Sequence, residues 1–144
     1  MSTIVERNAI DDAVITCLKT NTGRPGDIGQ PPTRTPSMPY IVLWPTSSPT
    51  IDSDWAEPYR DQGFIYDVHS VGATPLQAQW MADRVYRTMV ERSGSAYAYD
   101  LPVTVQGHTV SIQWRTAISR GALMRSGDTL WEIVDRYEVR TSWV

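Results

Sequence analysis

The sequence predicts a single α+β domain in which two helices pack on one face of an antiparallel or mixed sheet of four to five strands. Two stretches, near residues 5–18 and 78–89, repeat apolar residues at helical spacing, and the other apolar stretches are short or alternate with a period of two. The chain has 144 residues, the size of one domain. Because no internal repeat or boundary divides it, residues 1–144 are treated as one unit.

The first helix is predicted to begin at a capping box formed by Thr3 and Glu6. Its expected end is a left-handed cap at Asn21 or Gly23. One apolar stripe runs along it: Val5, Ala9, Ile10, Ala13, Val14, Cys17 and Leu18. Cys17 is therefore expected to be a buried, reduced thiol.

The second helix has three agreeing start signals: an N-cap hydroxyl at Thr74, a proline directly after it and a capping-box partner at Gln77. Gly94 is its expected end. Its core stripe consists of Ala78, Met81, Ala82, Val85 and Met89. Leu76 and Trp80 lie on the opposite, charged side, so Trp80 requires either a covering segment of this chain or a partner.

Two long irregular segments flank the first apolar strand. Residues 22–39 contain three glycines and five prolines, which predicts an extended arm without regular structure. Residues 45–62 form a second predicted loop, which carries Trp55, Tyr59, Asp52, Asp54, Glu57 and Asp61. Loops of this length in a small domain are usually functional or disordered. We therefore expect the function to lie outside the core.

The first two strands have different patterns. Residues 40–44 (YIVLW) are uniformly apolar, which predicts a central strand buried on both faces. Residues 63–72 alternate, with Phe64, Tyr66 and Val68 facing the core and Asp67 and His69 facing away.

A hairpin around residues 103–108 is predicted to lead into a third long strand. Its inward side chains are predicted to be Val110, Ile112, Trp114 and Ile118, and its outward side chains Thr109, Ser111, Gln113 and Arg115. The last strand places Trp131, Ile133, Tyr137 and Val139 on its core face. Asp135 interrupts that face, so it marks a bulge or an edge, or it pairs with an arginine, because an unpaired buried carboxylate costs too much.

The composition limits the possible partners. A formal charge of −3 gives no reason to expect binding to nucleic acid or to an acidic membrane surface, and no apolar run is long enough to span a membrane. The single cysteine excludes an intrachain disulfide and a cysteine-based zinc site. Six tryptophans and seven tyrosines against one phenylalanine suit surfaces that become buried on assembly.

The residues that could carry chemistry do not form a catalytic pattern. His69 shares a strand face with Asp67, but no nucleophile or oxyanion donor is near in sequence, and His108 adjoins a predicted turn. Asp52 and Asp54 alone are a weak metal signal. The sequence therefore predicts neither an enzyme nor a cofactor. The alternative is a small-molecule-binding or enzymatic α+β domain with a polar pocket around Asp67, His69 and Asp135.

Several motifs together resemble the tail terminator (tail completion) proteins of long-tailed bacteriophages, the siphophages. They are the N-terminal helix ending in LKTNTGRPG, the Pro-rich PPTRTPSMPY, the strand IVLWP, the strand FIYDVHSVG, the helix TPLQAQWMADRV and the closing DRYEVRTS. The resemblance covers most of the chain, but the loops 93–102 and 121–129 match nothing in the family's pattern.

This resemblance implies a structural virion protein that caps the finished tail tube as a ring, with a hexamer expected. The ring would stop tail polymerisation and form the tail-side surface for head joining, at the neck of the virion. The implied partners are other copies of the chain, the tail tube protein, a head–tail connector or stopper protein, and genomic DNA that passes without specific binding. The nearer alternative is a connector or stopper ring of the same neck.

A ring of this kind must bury two different patches on every subunit. We expect the Pro-rich arm of residues 24–39 to reach a neighbour. The candidate contact residues are Arg24, Arg34, Trp55, Tyr59, Trp80, Arg84, Arg87, Leu123 and Met124. We expect the lumen of the ring to be lined by Asp52, Asp54 and Glu57. Their negative charge would repel the phosphates of passing DNA and so prevent it from binding to the lumen wall.

The lumen hypothesis predicts the effect of reversing these three charges. Replacing Asp52, Asp54 and Glu57 with lysine is expected to slow DNA ejection from assembled particles, because the new cations would attract the phosphates. The rate of DNA release from purified virions measures this effect, and an ejection rate equal to that of the parent particle would contradict the hypothesis.

Overall fold

The computed structural model describes residues 6–47, 61–105 and 108–143, and at positions 47, 61, 108, 111, 113 and 143 it describes the backbone alone. The two helices are α1 (Arg7–Thr22) and α2 (Pro75–Val90). The strands are β1 (Gly26–Ile28), β2 (Tyr40–Ser47), β3 (Asp61–Gly72), β4 (Arg92–Ser93), β5 (Ala96–Tyr97), β6 (Val103–Val105), β7 (His108–Ser119), β8 (Met124–Ser126) and β9 (Leu130–Trp143). The predicted α+β class with two helices is confirmed.

One mixed sheet contains seven of the described strands, in the order β1-β2-β3-β9-β7-β6, with β8 paired to the start of β9. The β1–β2 pair is parallel and the other described pairs are antiparallel. Strands β4 and β5 form a separate small hairpin. The four to five predicted strands correspond to β2, β3, β7, β9 and the short β6, and the sequence predicts loops where the three-residue strands β1 and β8 lie.

Both helices pack on one face of this sheet, which we call the helix face. Alternation along β3 turns Phe64 and Tyr66 to this face, opposite Val139 and Tyr137 of β9. The helices contribute Ile10, Val14, Leu18, Met81, Val85 and Met89, all fully shielded from solvent. Burying one such side chain stabilises the fold by about 1.5–3 kcal/mol. The predicted core stripes of both helices are confirmed over the described residues.

A buried hydrogen bond links α1 to β3. The Tyr66 hydroxyl donates to Asp11 Oδ1 at 2.6 Å, and both residues are buried. Burial raises the pKa of Asp11, an effect that the hydrogen bond from Tyr66 partly offsets. The polar residue inside the first helix is thus accommodated by a specific partner on the central part of the sheet.

The helix ends match the sequence signals in part. Thr3 lies outside the described residues, and Glu6 occupies the N-cap of α1 without a side-chain hydrogen bond, while the left-handed cap is at Gly23. At α2 the Thr74 hydroxyl accepts from Gln77 N at 3.2 Å, as predicted. The predicted end at Gly94 is wrong, because α2 stops at Val90 and Gly94 forms the turn of the β4–β5 hairpin. No described helix is long and apolar enough to cross a membrane.

The Pro-rich segment folds back onto its own sheet. Within it, Gly26–Ile28 forms β1, so the prediction of an arm without regular structure is wrong there. Ile41 N donates to Pro25 O at 3.0 Å and Gly29 N to Leu43 O at 2.9 Å, which fastens the segment along β2. The Met38–Pro39 peptide bond is cis.

Strand β2 is next to the short edge strand β1 and is not central. Ile41 and Leu43 face the helices, whereas Tyr40 and Val42 are covered on the other side by Val71 and partly buried neighbours. Trp44 is exposed, so the prediction of burial on both faces fails at that residue. The strand continues to Ser47 and β3 begins at Asp61, so the prediction of a loop over 45–62 is wrong at residues 45–47 and 61–62, and residues 48–60 lie outside the described residues.

Strand β7 changes the side of the sheet to which its residues point. Its register against β9 shifts between Ile112 and Trp114, and again between Ala117 and Ser119. A β-bulge inserts one residue and so reverses the alternation after it. Trp114 is therefore 49% exposed and Arg115 only 4%, the reverse of the prediction, and Ile118 at the second shift is exposed as well.

The segment after β7 approaches β9 so closely that only glycine fits at position 121. A Cβ atom on Gly121 would lie 2.1 Å from the Val134 carbonyl oxygen, and Gly121 N donates to Asp135 Oδ1 at 2.8 Å. Because the clash is with backbone atoms, Gly121→Ala is expected to lower the free energy of unfolding by about 3 kcal/mol or more. Urea unfolding of the purified variant measures the loss.

The control for this prediction is Gly94→Ala. Gly94 has a φ of 68°, and its Cβ position has nothing within 4 Å, so the substitution introduces backbone strain of about 1–2 kcal/mol without a clash. A Gly121→Ala variant no less stable than Gly94→Ala would show that the β7–β8 segment adjusts without cost.

Candidate interaction surfaces

The first surface is a cleft between the start of α2 and the Pro-rich segment, which we call the α2 cleft. It encloses about 440 Å³ and is lined by Arg24, Pro39, Thr74, Leu76, Gln77 and Trp80. Leu76 is 77% exposed and Trp80 44%, so the prediction that both lie opposite the core stripe is confirmed. Arg84 stacks over the Trp80 ring at 5.1 Å. The described part of the chain covers Trp80 only in part.

Arg24 shapes this cleft. Its Nε donates to Pro39 O at 2.9 Å, and its Nη2 donates to Met38 O at 2.7 Å and to Ser37 Oγ at 3.0 Å. The guanidinium therefore joins the two ends of the Pro-rich segment. The sequence suggests Arg24 as a contact to a partner, but these three hydrogen bonds are all formed within its own chain.

The second surface is the side of the sheet opposite the helices, which we call the open face. Its exposed large side chains are Trp44 of β2, Trp114 of β7 and Met124 of β8. Register places Trp44 opposite Asp67, Trp114 opposite Arg140 and Met124 opposite Glu132, so all three project to the side away from the helices. Three strands distant in sequence thus assemble one surface that carries apolar groups.

The described charged side chains that β3 and β9 place on the open face are paired with one another. Arg136 donates to both carboxylate oxygens of Asp67, at 2.8 and 3.1 Å, and Arg140 contacts Glu138. His69 Nδ1 lies 3.1 Å from Glu132 Oε2. Because these pairs lie among the exposed apolar groups, the centre of the face presents little unbalanced charge to an approaching protein.

The other predicted contact residues are distributed around the molecule. Arg84 and Arg87 are exposed on the outer side of α2, and Arg34 is exposed in the Pro-rich segment, where it forms no ion pair with another described residue. Leu123 is half-buried beside Met124. The remaining predicted positions lie outside the described residues: Trp55, Tyr59, Asp52, Asp54 and Glu57.

Sequence reasoning missed both exposed tryptophans of the open face. Trp44 ends a uniformly apolar run, but it shares its parity with Tyr40 and Val42 and not with the core residues Ile41 and Leu43. That parity was the available signal for Trp44. No local pattern reveals the bulge that exposes Trp114.

The predicted polar pocket around Asp67, His69 and Asp135 does not form. Asp67 and His69 lie on the open face, whereas Asp135 pairs with Val68 in register and points to the helix face. Asp135 is 1% exposed, accepts from Gly121 N and lies 3.7 Å from Arg120 Nε. Of the alternatives that the sequence leaves open for Asp135, a bulge, an edge or a pair with an arginine, the structure shows the pair with an arginine. The described residues contain no cluster of three or more metal-ligating side chains.

Comparisons with known proteins address the fold alone. No protein-family model matches the chain, and no curated protein matches it. A solved structure, whose name is a bare identifier that states no function, superposes with a TM-score of 0.57 at 19% sequence identity. The match covers 96% of this chain and 94% of the other. The chain is thus similar to that protein over nearly its whole length in fold.

The buried carboxylate of Asp135 predicts a particular pH dependence. Burial raises its pKa, although the Gly121 N–H and Arg120 partly offset the shift. Since the folded pKa exceeds the unfolded value, this group's contribution to stability is present below the unfolded pKa and is lost as pH rises through the folded pKa. Asp135→Asn removes that loss, so the variant should gain stability relative to the parent as pH rises above about 4.

Asp27 provides a control of opposite sign. Gln30 and the Ile28 N–H donate to its carboxylate and lower its pKa. Asp27→Asn should therefore lose stability relative to the parent as pH rises from below the lowered folded pKa up to the unfolded value of about 4. Urea unfolding of the three proteins between about pH 2.5 and about pH 7, a range that extends below and above the model carboxyl pKa values, measures both trends. Parallel curves for the parent and Asp135→Asn would contradict the assignment.

Proposed function

We propose that this protein is a structural component of a long-tailed bacteriophage virion, and that it caps the tail tube as a ring of identical copies. In this role it terminates tail polymerisation and forms the tail-side surface for head joining. The observation that carries the proposal is the presence of two different exposed apolar surfaces on opposite sides of one small domain. The resemblance of the sequence to the tail terminators supplies the biological setting.

The positions of the two surfaces suit a head-to-tail assembly. The α2 cleft lies on the outer side of the helix layer, whereas the open face lies on the other side of the sheet. A closed ring needs a heterologous contact: each subunit has two different patches, and one patch of each subunit contacts the other patch of its neighbour. A two-fold dimer would need only one patch that matches itself.

The chemistry of both surfaces suits burial between proteins. Trp80 with Arg84 in the α2 cleft, and Trp44 and Trp114 on the open face, are the residue types enriched at interfaces. The internal ion pairs of the open face limit the electrostatic cost of covering it. We therefore expect the open face of one copy to contact the α2 cleft of the next, with a hexamer as the expected ring.

The proposed partners outside the ring are the tail tube protein on one side and a head–tail connector or stopper on the other. Genomic DNA would pass through the lumen without specific binding. A tube-growth assay separates this function from that of a connector or stopper. Added to polymerising tail-tube protein, the protein should halt elongation, and tubes that grow to the same lengths in its presence would overturn the proposed capping role.

The head-to-tail contact can be tested with one variant of each surface. Trp80→Ala alters the α2 cleft and Trp114→Ala alters the open face. Each is expected to weaken the contact by about 2 kcal/mol or more, roughly 30-fold in Kd. Each variant alone should therefore lose the ring in light scattering and negative-stain images at concentrations where the parent forms it.

Mixing the two variants provides the control. A Trp80→Ala copy keeps an intact open face and a Trp114→Ala copy keeps an intact cleft, so an equimolar mixture should form a heterodimer that cannot extend. Circular dichroism of each variant alone verifies that it is folded. If either variant dimerises by itself, or if the mixture stays monomeric, the two surfaces do not contact each other as proposed.

A further inference from the structure

A buried arginine on the helix face has no counter-ion in the described part of the chain. Arg115 is 4% exposed, because the β7 bulge turns it inward. Its Nη2 donates to Tyr99 O at 2.6 Å, and its guanidinium stacks over the Tyr97 ring at 4.2 Å. Its Nε and Nη1 have no hydrogen-bond partner among the described residues and almost no solvent contact.

The neighbouring ionisable groups do not neutralise this charge. Cys17 approaches the guanidinium, but burial raises the pKa of the Cys17 thiol, so the sulfur stays uncharged at neutral pH. Burial lowers the pKa of Arg115, an effect that the charge of Asp100 partly offsets, but Asp100 is exposed and forms no ion pair with the guanidinium. A buried charge without a partner is strongly unfavourable. The buried position of Arg115 therefore requires an explanation that packing alone does not give.

A pocket lies beside the guanidinium. It encloses about 220 Å³ and is lined by Ala96, Tyr97, Tyr99, Asp100, Leu101, Ile112 and Arg115. Its outer wall is the exposed segment that contains the β4–β5 hairpin. This segment is held by the Tyr97 hydroxyl, which donates to Arg115 O at 2.9 Å and accepts from Arg115 N at 2.7 Å.

We propose that this pocket is a binding site for a single carboxylate group, which pairs with Arg115. One guanidinium neutralises one negative charge, and its planar N–H groups match a planar carboxylate. The acid Asp100 at the pocket wall disfavours anions of higher charge, such as a phosphate dianion. Because Nε and Nη1 are shielded from solvent, a carboxylate can reach them only if the segment 96–101 shifts. Binding should therefore change the environment of the backbone amides of this segment.

The carboxylate can come from two sources. One is a free small carboxylic acid, and the other is an Asp or Glu side chain of a second copy of this chain. The inference does not depend on the proposed ring, since the pocket lies apart from the α2 cleft and uses none of its residues.

The first test is an NMR titration of the full-length protein with sodium acetate, against sodium chloride at equal ionic strength. Acetate is expected to produce a saturable shift of the Arg115 Nε–H resonance and of the amides of residues 96–101. Arg92 is the internal reference, because it stacks on the same Tyr97 ring at 4.6 Å but is exposed. Equal responses to acetate and chloride, or no response at Arg115, would overturn the proposal.

Matched variants assign the effect to the buried cation. Arg115→Met keeps the apolar stem and is expected to weaken acetate binding about tenfold or more, as expected for loss of a hydrogen bond to a charged group. Arg92→Met should bind acetate like the parent. If Arg115→Met does not fold, two other results assign the site to Arg115: saturable acetate binding by Arg92→Met and the shift of the Arg115 resonance in the parent. Loss of acetate binding in Arg92→Met would contradict the assignment to Arg115.

A dilution series identifies the source once the NMR titration has shown saturable binding at Arg115. If light scattering then shows a monomer whose mass acetate does not change, the site takes a free acid. If the protein self-associates and acetate lowers its mass, a side chain of a second copy fills the site. Self-association that persists in Arg115→Met and resists acetate would exclude the second source.

Discussion

The pairing of β3 with β9 is the interaction on which the rest of the structure depends. Twelve consecutive residues of each strand are in register, from Asp61 opposite Ser142 to Gly72 opposite Trp131. Since side chains alternate along both strands, this register assigns every residue of the sheet centre to one of two faces. Phe64 and Tyr66 receive the helices, while Asp67 and its partner Arg136 remain on the open face.

The strand β7, which flanks this central pair, contains a β-bulge that changes which side chains reach the surface. One inserted residue exchanges the positions of Trp114 and Arg115. The exchange places an aromatic side chain on the open face and a cation inside the protein. Both consequences are costly for an isolated domain, because an exposed tryptophan loses favourable burial and a buried guanidinium loses its hydration. Such costs are expected where a surface or a site is used for binding.

The Pro-rich segment helps to form the α2 cleft because Arg24 holds its two ends together. Arg24 ties the segment to the carbonyl groups of Met38 and Pro39, and the same anchor forms one wall of the cleft that Trp80 and Leu76 complete. Residues 30–37 are for the most part exposed beyond it. The proposed ring therefore relies on surfaces that tertiary contacts build, with the folded-back segment as part of the wall of the α2 cleft.

The sequence by itself determined the features that depend on local periodicity and local hydrogen bonds. These are the core stripes of both helices, the Thr74 cap, the faces of β3 and β9, and the outward position of Trp80. Such patterns repeat within one element, so they can be read without knowing its neighbours.

Only the tertiary structure decided the exposure of Trp44 and Trp114, the burial of Arg115 and the pairing of β1 with β2. Each of these depends on an event outside the element itself: a bulge against a distant strand, or a segment that covers one side of the sheet but not the other. A single residue of register reverses a strand's faces without any change in its composition. The position of Trp114 on the open face and the pocket around Arg115 were therefore beyond the reach of the sequence pattern.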